Sequence, residues 1–111
     1  MKPRRQKANK AEQERYNRLK QIICICCYDE PLQVPYVGVE IHHMTSGGRR
    51  IGNEFTLPLC FWHHRGVLPA DSKNSTIATL TYGPSLAKNK RQFVNRYGTE
   101  AQLLTKVNNL L

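Results

Sequence analysis

Two histidine pairs, His42-His43 and His63-His64, stand about twenty residues apart, and Cys60 precedes the second pair by three places. The remaining cysteines, Cys24, Cys26 and Cys27, lie upstream, so all four histidines and all four cysteines fall between residues 24 and 64. Imidazole is the commonest protein metal ligand and titrates near neutrality. Cys24-x2-Cys27 and Cys60-x2-His63 have the spacing of metal knuckles. A two-residue gap lets both side chains of a pair reach one ion, and two pairs complete a tetrahedron. A Cys3His set saturates Zn²⁺, which predicts a structural ion rather than a reactive one. Cys26 could replace a partner, but the standard gap favours Cys24 with Cys27. Ordinary buried thiols are the plainer alternative. The 32 residues between the knuckles exceed the usual zinc-ribbon spacing, leaving room for a hairpin between the two halves of the site.

A chain of 111 residues suits one domain and buries only about two thirds of its unfolded surface, so a metal staple would supplement a modest core. The formal net charge of +9 favours a polyanionic partner, nucleic acid before a membrane surface. No apolar run approaches a bilayer span, and no h-region follows the basic N-terminus, which argues for a cytoplasmic protein and against disulfides.

Residues 1–20 carry eight of the seventeen basic residues against Glu12 and Glu14. This stretch reads as a basic arm, disordered over its first ten residues and helix-friendly from Ala8 to Ile23, with Tyr16, Leu19 and Ile23 as a weak apolar stripe. Residues 21–111 then form the main domain. Val34 to His43 is strand-like, Ser46-Gly47-Gly48 turns the chain, and Arg49 to Leu57 returns as a strand or extended loop. A helix is predicted from Cys60 to a stop at Gly66. Thr76 to Tyr82 reads as a short strand from its β-branched residues. Ser85 is a candidate cap for a helix over Leu86 to Tyr97. Thr99 to Gln102 is a capping-box pattern opening a final helix whose Leu103, Leu104, Val107, Leu110 and Leu111 form one apolar face, read as structural.

In order, Cys-x2-Cys, a strand ending His-His, a Gly-rich turn, an Asn and Leu-Cys-x2-His-His resembles the HNH, or ββα-metal, endonucleases. Val39 to His43, Gly47 to Asn53, Pro58 to Gly66 and the tail words Gly83-Pro84-Ser85-Leu86-Ala87, Phe93, Tyr97-Gly98 and Leu110-Leu111 look like the phage and prophage Ref family of RecA-dependent recombination-enhancement nucleases. The likeness runs from Cys24 to Leu111. It implies an α+β fold: a zinc-stapled ββα core with flanking helices and a basic arm. It further implies hydrolysis of DNA phosphodiester bonds, leaving 5′-phosphate and 3′-hydroxyl ends.

Carried over position by position, His42 and His64 match the ligands of one catalytic divalent cation, Mg²⁺ or another, and His43 matches the general base. The chemistry agrees: a neutral imidazole takes a proton from water, while a cation polarises a phosphoryl oxygen. The central Asn of the motif belongs five residues before Cys60, where this chain has Phe55. Asn53 is the nearest candidate to brace the loop, with Glu54 an alternative. Leu68 stands where some relatives place a third cation ligand, and Asp71 is a remote substitute. Glu40 either orients an imidazole or faces water. Arg49, Arg50 and Arg65 flank the site as candidate phosphate contacts, and Lys2, Arg4, Arg5, Lys7 and Lys10 as a counterion-releasing arm.

The resemblance implies a single-stranded or recombination-intermediate DNA substrate, a RecA filament as partner, and a bacterial host cytoplasm for a phage- or prophage-encoded protein. Two rivals share the charge and the knuckles. One is a zinc-containing DNA-binding module without chemistry, and the other is a structural prophage protein that binds a protein partner. The first does not account for His42, His43 and His64 lying outside the tetrahedron, and the second predicts no salt-dependent affinity for DNA.

Overall fold

The computed structural model describes residues 8–35 and 39–111. Among them are five α-helices and two small antiparallel sheets, an α+β arrangement. Lys2, Arg4, Arg5 and Lys7 of the basic arm, and residues 36–38 of the expected first strand, lie outside the described residues.

Helix α1 (Lys10–Gln21) opens on a capping box. The Asn9 side chain accepts from the Glu12 backbone N–H, and the Glu12 carboxylate accepts from the Asn9 N–H. Leu19 is fully buried and Tyr16 packs against the core, but the helix ends at Gln21, so Ile23 leaves the apolar stripe and is 40% exposed. A domain boundary at residue 20 would fall inside this helix.

Arg15 ties α1 down. Its guanidinium donates to Thr56 Oγ1 (3.0 Å), to the Thr56 carbonyl (2.9 Å) and to Asn108 Oδ1 (2.7 Å). Thr56 is fully buried, so its carbonyl loses a charged donor if Arg15 is truncated. Arg15→Met is expected to destabilise the protein by about 1–3 kcal/mol, read as a lower urea midpoint at unchanged slope.

The main sheet pairs β1 (Glu40–His43) with β4 (Thr56–Leu59), in the register Glu40↔Leu59, Ile41↔Pro58, His42↔Leu57 and His43↔Thr56. All of β4 is buried. Pro58 cannot donate to a ladder, which a two-stranded sheet tolerates. Its carbonyl takes the Ile25 N–H (2.9 Å) and so lays the first cysteine loop beside β4. Between the long strands, β2 (Thr45–Ser46) and β3 (Arg49–Arg50) form a small hairpin turned by Gly47 and Gly48, both at positive φ. The return from Arg49 is therefore a two-residue strand, a loop and then β4.

Helix α2 (Phe61–Arg65) follows β4 directly, so the unit runs strand, strand, helix. Cys60 is its N-cap, and Gly66 ends it in the left-handed region at φ 71°. Trp62 is fully buried, and its indole N–H donates to the Gly83 carbonyl (2.9 Å), which removes it from any base-stacking surface.

Residues 75–82 form helix α3 (Ser75–Tyr82), not a strand. Asn74 caps it by accepting from the Ile77 N–H, and Ala78 and Tyr82, four apart, face the core. The β-branched threonines are accommodated because Thr79 and Thr81 donate their hydroxyls to the carbonyls of Ser75 and Ile77 one turn back. Helix α4 (Lys90–Tyr97) begins later than Leu86, because the Leu86 N–H is taken by the His63 carbonyl (2.9 Å) and Ser85 is buried in the preceding turn. Helix α5 (Glu100–Leu110) carries the expected capping box and buries Leu103 and Val107. Leu110 and Leu111 are 38% and 37% exposed, so the apolar face covers less of the helix than its sequence suggests.

Candidate metal centre and imidazole pair

The two knuckles meet. The ligand atoms of Cys24, Cys27, Cys60 and His63, all buried, lie within 4.8 Å of one another. His63 Nδ1 stands 3.5 Å from the Cys24 and Cys27 sulfurs and 3.2 Å from that of Cys60, with Cys27 and Cys60 sulfurs 4.0 Å apart. Ligands at Zn–S about 2.3 Å and Zn–N about 2.0 Å put tetrahedral sulfur–nitrogen edges near about 3.5 Å, so the donor set fits such an ion.

The surroundings favour this use. The other ring nitrogen of His63, Nε2, faces the Tyr82 carbonyl at 2.9 Å and the Tyr97 hydroxyl at 3.1 Å. A donated Nε2–H leaves Nδ1 as the lone-pair nitrogen turned to the thiols. Tyr97 in turn donates to Glu30 (2.9 Å), which Arg96 grips through two bonds of 2.6 and 2.8 Å. Burial opposes a charged imidazole, yet the sulfurs of Cys24 and Cys27 outweigh it and lift His63 to about 10, the mark of a pocket that attracts positive charge. Cys26 is fully buried but outside the four; burial and the neighbouring Cys24 push its thiol well above the ordinary range.

The second cluster joins β1, α2 and α5. His42 Nδ1 and His64 Nε2 are 3.2 Å apart. Each ring's outer nitrogen meets a carboxylate: His42 Nε2 lies 2.9 Å from Glu100 Oε1, and His64 Nδ1 lies 3.2 Å from Glu40 Oε1. Glu40 also accepts from Arg65 Nε (2.8 Å), and Arg65 and then His64 hold its carboxyl below the usual range against the opposing effect of burial. Burial, followed by the charge of His42, lowers His64 below an ordinary imidazole, which favours its neutral form.

His43, next along β1, turns toward α1, where the Tyr16 hydroxyl is 3.3 Å from its Nε2. This is the alternation of a strand. Asn53 enters through its backbone, its carbonyl accepting from Thr56 Oγ1 (3.1 Å) opposite His43. Arg49 and Arg50 are exposed on the hairpin, and Arg65 extends over the Phe61 ring. Lys10 is an exposed residue in the first turn of α1. Asp71 accepts from the Tyr82 hydroxyl and serves as a loop brace.

Glu100 and Tyr16 were not legible as site residues. Glu100 carried one signal, an acid at the first position of a capped helix; Tyr16 read only as part of an apolar stripe.

Two strands and a following helix, a Cys3His cluster that could hold a metal such as zinc, and a separate imidazole pair together describe a small α+β protein with a candidate metal site. The chain belongs to the family described as recombination enhancement, RecA-dependent nuclease, whose model matches residues 8–111. No curated protein gives a match to it. Among the described residues, no helix is long and apolar enough to cross a membrane.

Proposed function

We propose that this protein is an HNH-type, metal-dependent DNA endonuclease acting in RecA-linked recombination, with Zn²⁺ at the Cys3His site as a structural ion. The observation that carries the reading is the 3.2 Å approach of His42 Nδ1 to His64 Nε2. Two ligands sharing one ion at about 2.1 Å stand roughly 3.0–3.4 Å apart. Held there, a divalent cation such as Mg²⁺ would supply charge neutralisation at the scissile phosphate and the departing 3′ oxygen.

The remaining steps belong to the chain. His42 and His64 would hold the ion, from β1 and α2. His43, at the end of β1, accepts a proton from the attacking water, the bond from phosphorus to the 3′ oxygen breaks as the new P–O bond forms, and the departing 3′ oxygen takes a proton from solvent water to become the hydroxyl. Asn53 and Thr56 brace the strand end that carries the base. Arg49, Arg50 and Arg65 position the DNA backbone, and Lys2, Arg4, Arg5, Lys7 and Lys10 add affinity that is indifferent to sequence.

The test is cleavage of single-stranded DNA and of RecA-formed displacement loops with Mg²⁺. No cutting of either substrate, with or without RecA filaments, would refute the nuclease reading and leave a DNA-binding module. The arm carries its own expectation: log affinity for DNA falls linearly with log salt, and deleting residues 1–10 makes the slope shallower by roughly 0.7–0.9 for each phosphate the arm had neutralised. An unchanged slope removes the arm from the interface.

A further inference from the structure

We infer that Glu100 and Glu40 are the positioning residues of the cation site, fixing which nitrogen of each imidazole faces the ion; this rests on the cation reading above. An imidazole held by a carboxylate donates its N–H to it and turns the opposite lone pair elsewhere. Glu100 therefore makes His42 an Nε2–H tautomer, and Glu40 makes His64 an Nδ1–H tautomer. The nitrogens left over, His42 Nδ1 and His64 Nε2, are the two that face one another at 3.2 Å.

Neither can then donate to the other. Two opposed lone pairs at that separation repel unless positive charge stands between them. The four residues thus form a symmetric chain, carboxylate–imidazole–imidazole–carboxylate, whose centre calls for a cation. The outer N–H groups need no proton from the centre, because each already has a carboxylate to receive its hydrogen bond.

The two carboxylates have unequal standing. Glu40 shares β1 with His42 and divides its oxygen between His64 and Arg65. Glu100 comes from 58 residues away, at the first position of α5, where the Thr99–Gln102 capping box fixes the start of the helix. Its carboxylate is 26% exposed against 15% for His42, so the contact is partly shielded from water. The C-terminal helix thereby gains a task beyond packing: it sets the ligand geometry of a strand far away in sequence.

The experiment is calorimetric titration of the full, zinc-loaded chain with Mn²⁺, on wild type, Glu100→Gln and Glu100→Ala, with zinc content and Tm measured on the same samples. Imidazole ¹⁵N shifts report the tautomers in the wild type. Glu100→Ala is expected to weaken Mn²⁺ binding by about 10–100-fold at unchanged zinc content, with Glu100→Gln intermediate, because it keeps an acceptor but loses the charge. The shifts should show His42 protonated at Nε2 and His64 at Nδ1. Wild-type affinity in both variants, or the opposite tautomers, would overturn the positioning role while leaving the cation site standing. A wild type that binds no second ion, with one proton shared between His42 and His64, would overturn the cation reading itself.

Discussion

Cys60→Ser is expected to cost the protein most of its cooperative fold. The variant should lose stoichiometric zinc, and its Tm should fall by about 20 °C or more, or the transition should vanish. Structural zinc contributes about 10–16 kcal/mol in small zinc-dependent peptides, whereas a whole domain has a net stability of only about 5–15 kcal/mol. Weakening the ion's hold by about 4 kcal/mol, at roughly 4–8 °C per kcal/mol, already produces that change.

The position is unusually exacting. Cys60 follows β4 directly, caps α2 and accepts from the His63 N–H (3.4 Å), so one sulfur serves both the helix start and the cluster. The ion would join this corner to the loop that follows α1, two segments otherwise linked by the Ile25–Pro58 backbone bond. Cys26→Ser is the control. The same chemical change two residues into the first knuckle should retain zinc, because Cys26 lies outside the four. A Cys60→Ser protein that keeps zinc and melts like wild type would remove the structural-metal account.

His43→Ala is expected to lower cleavage by about 10²–10⁴-fold, the usual contribution of a general base, with zinc content and Mn²⁺ affinity unchanged. The separation follows from the strand. His42 faces His64 and Glu100, while its neighbour His43 faces Tyr16, so the proposed base can be removed without touching a proposed ligand of either ion. Cleavage by His43→Ala at the wild-type rate would remove it as the base.

What could be read in the sequence was chemistry that is local along the chain. Cys24-x2-Cys27 and Cys60-x2-His63 announce their site because each pair reaches one ion by itself. Helix α2 was readable from Cys60 to Gly66, and α5 from its capping box, because end signals are short-range. The failures are of the opposite kind. Residues 76–82 look strand-like from their β-branched composition, but the Asn74 cap and the 78–82 burial spacing prevail. The start of α4 is set by the His63 carbonyl, twenty-three residues from Leu86. Arg15 belongs by composition to a solvated arm, although Thr56 and Asn108 claim its guanidinium. Glu100 is inconspicuous for the same reason: its partner is 58 residues away, and the capped helix that brings it there already explains an acid at that position.

In the proposed reading, Cys24, Cys27, Cys60 and His63 form a closed metal site that keeps the fold, and His42 and His64 form an open one that supports the reaction. The most direct test is DNA cleavage as Mg²⁺ is withdrawn and restored while bound zinc is measured on the same protein. The prediction is about one zinc per chain throughout, with cleavage absent without Mg²⁺, restored by adding it, and unrecoverable in His64→Ala. Undiminished cleavage without Mg²⁺ at constant zinc, or full cleavage by His64→Ala, would contradict it.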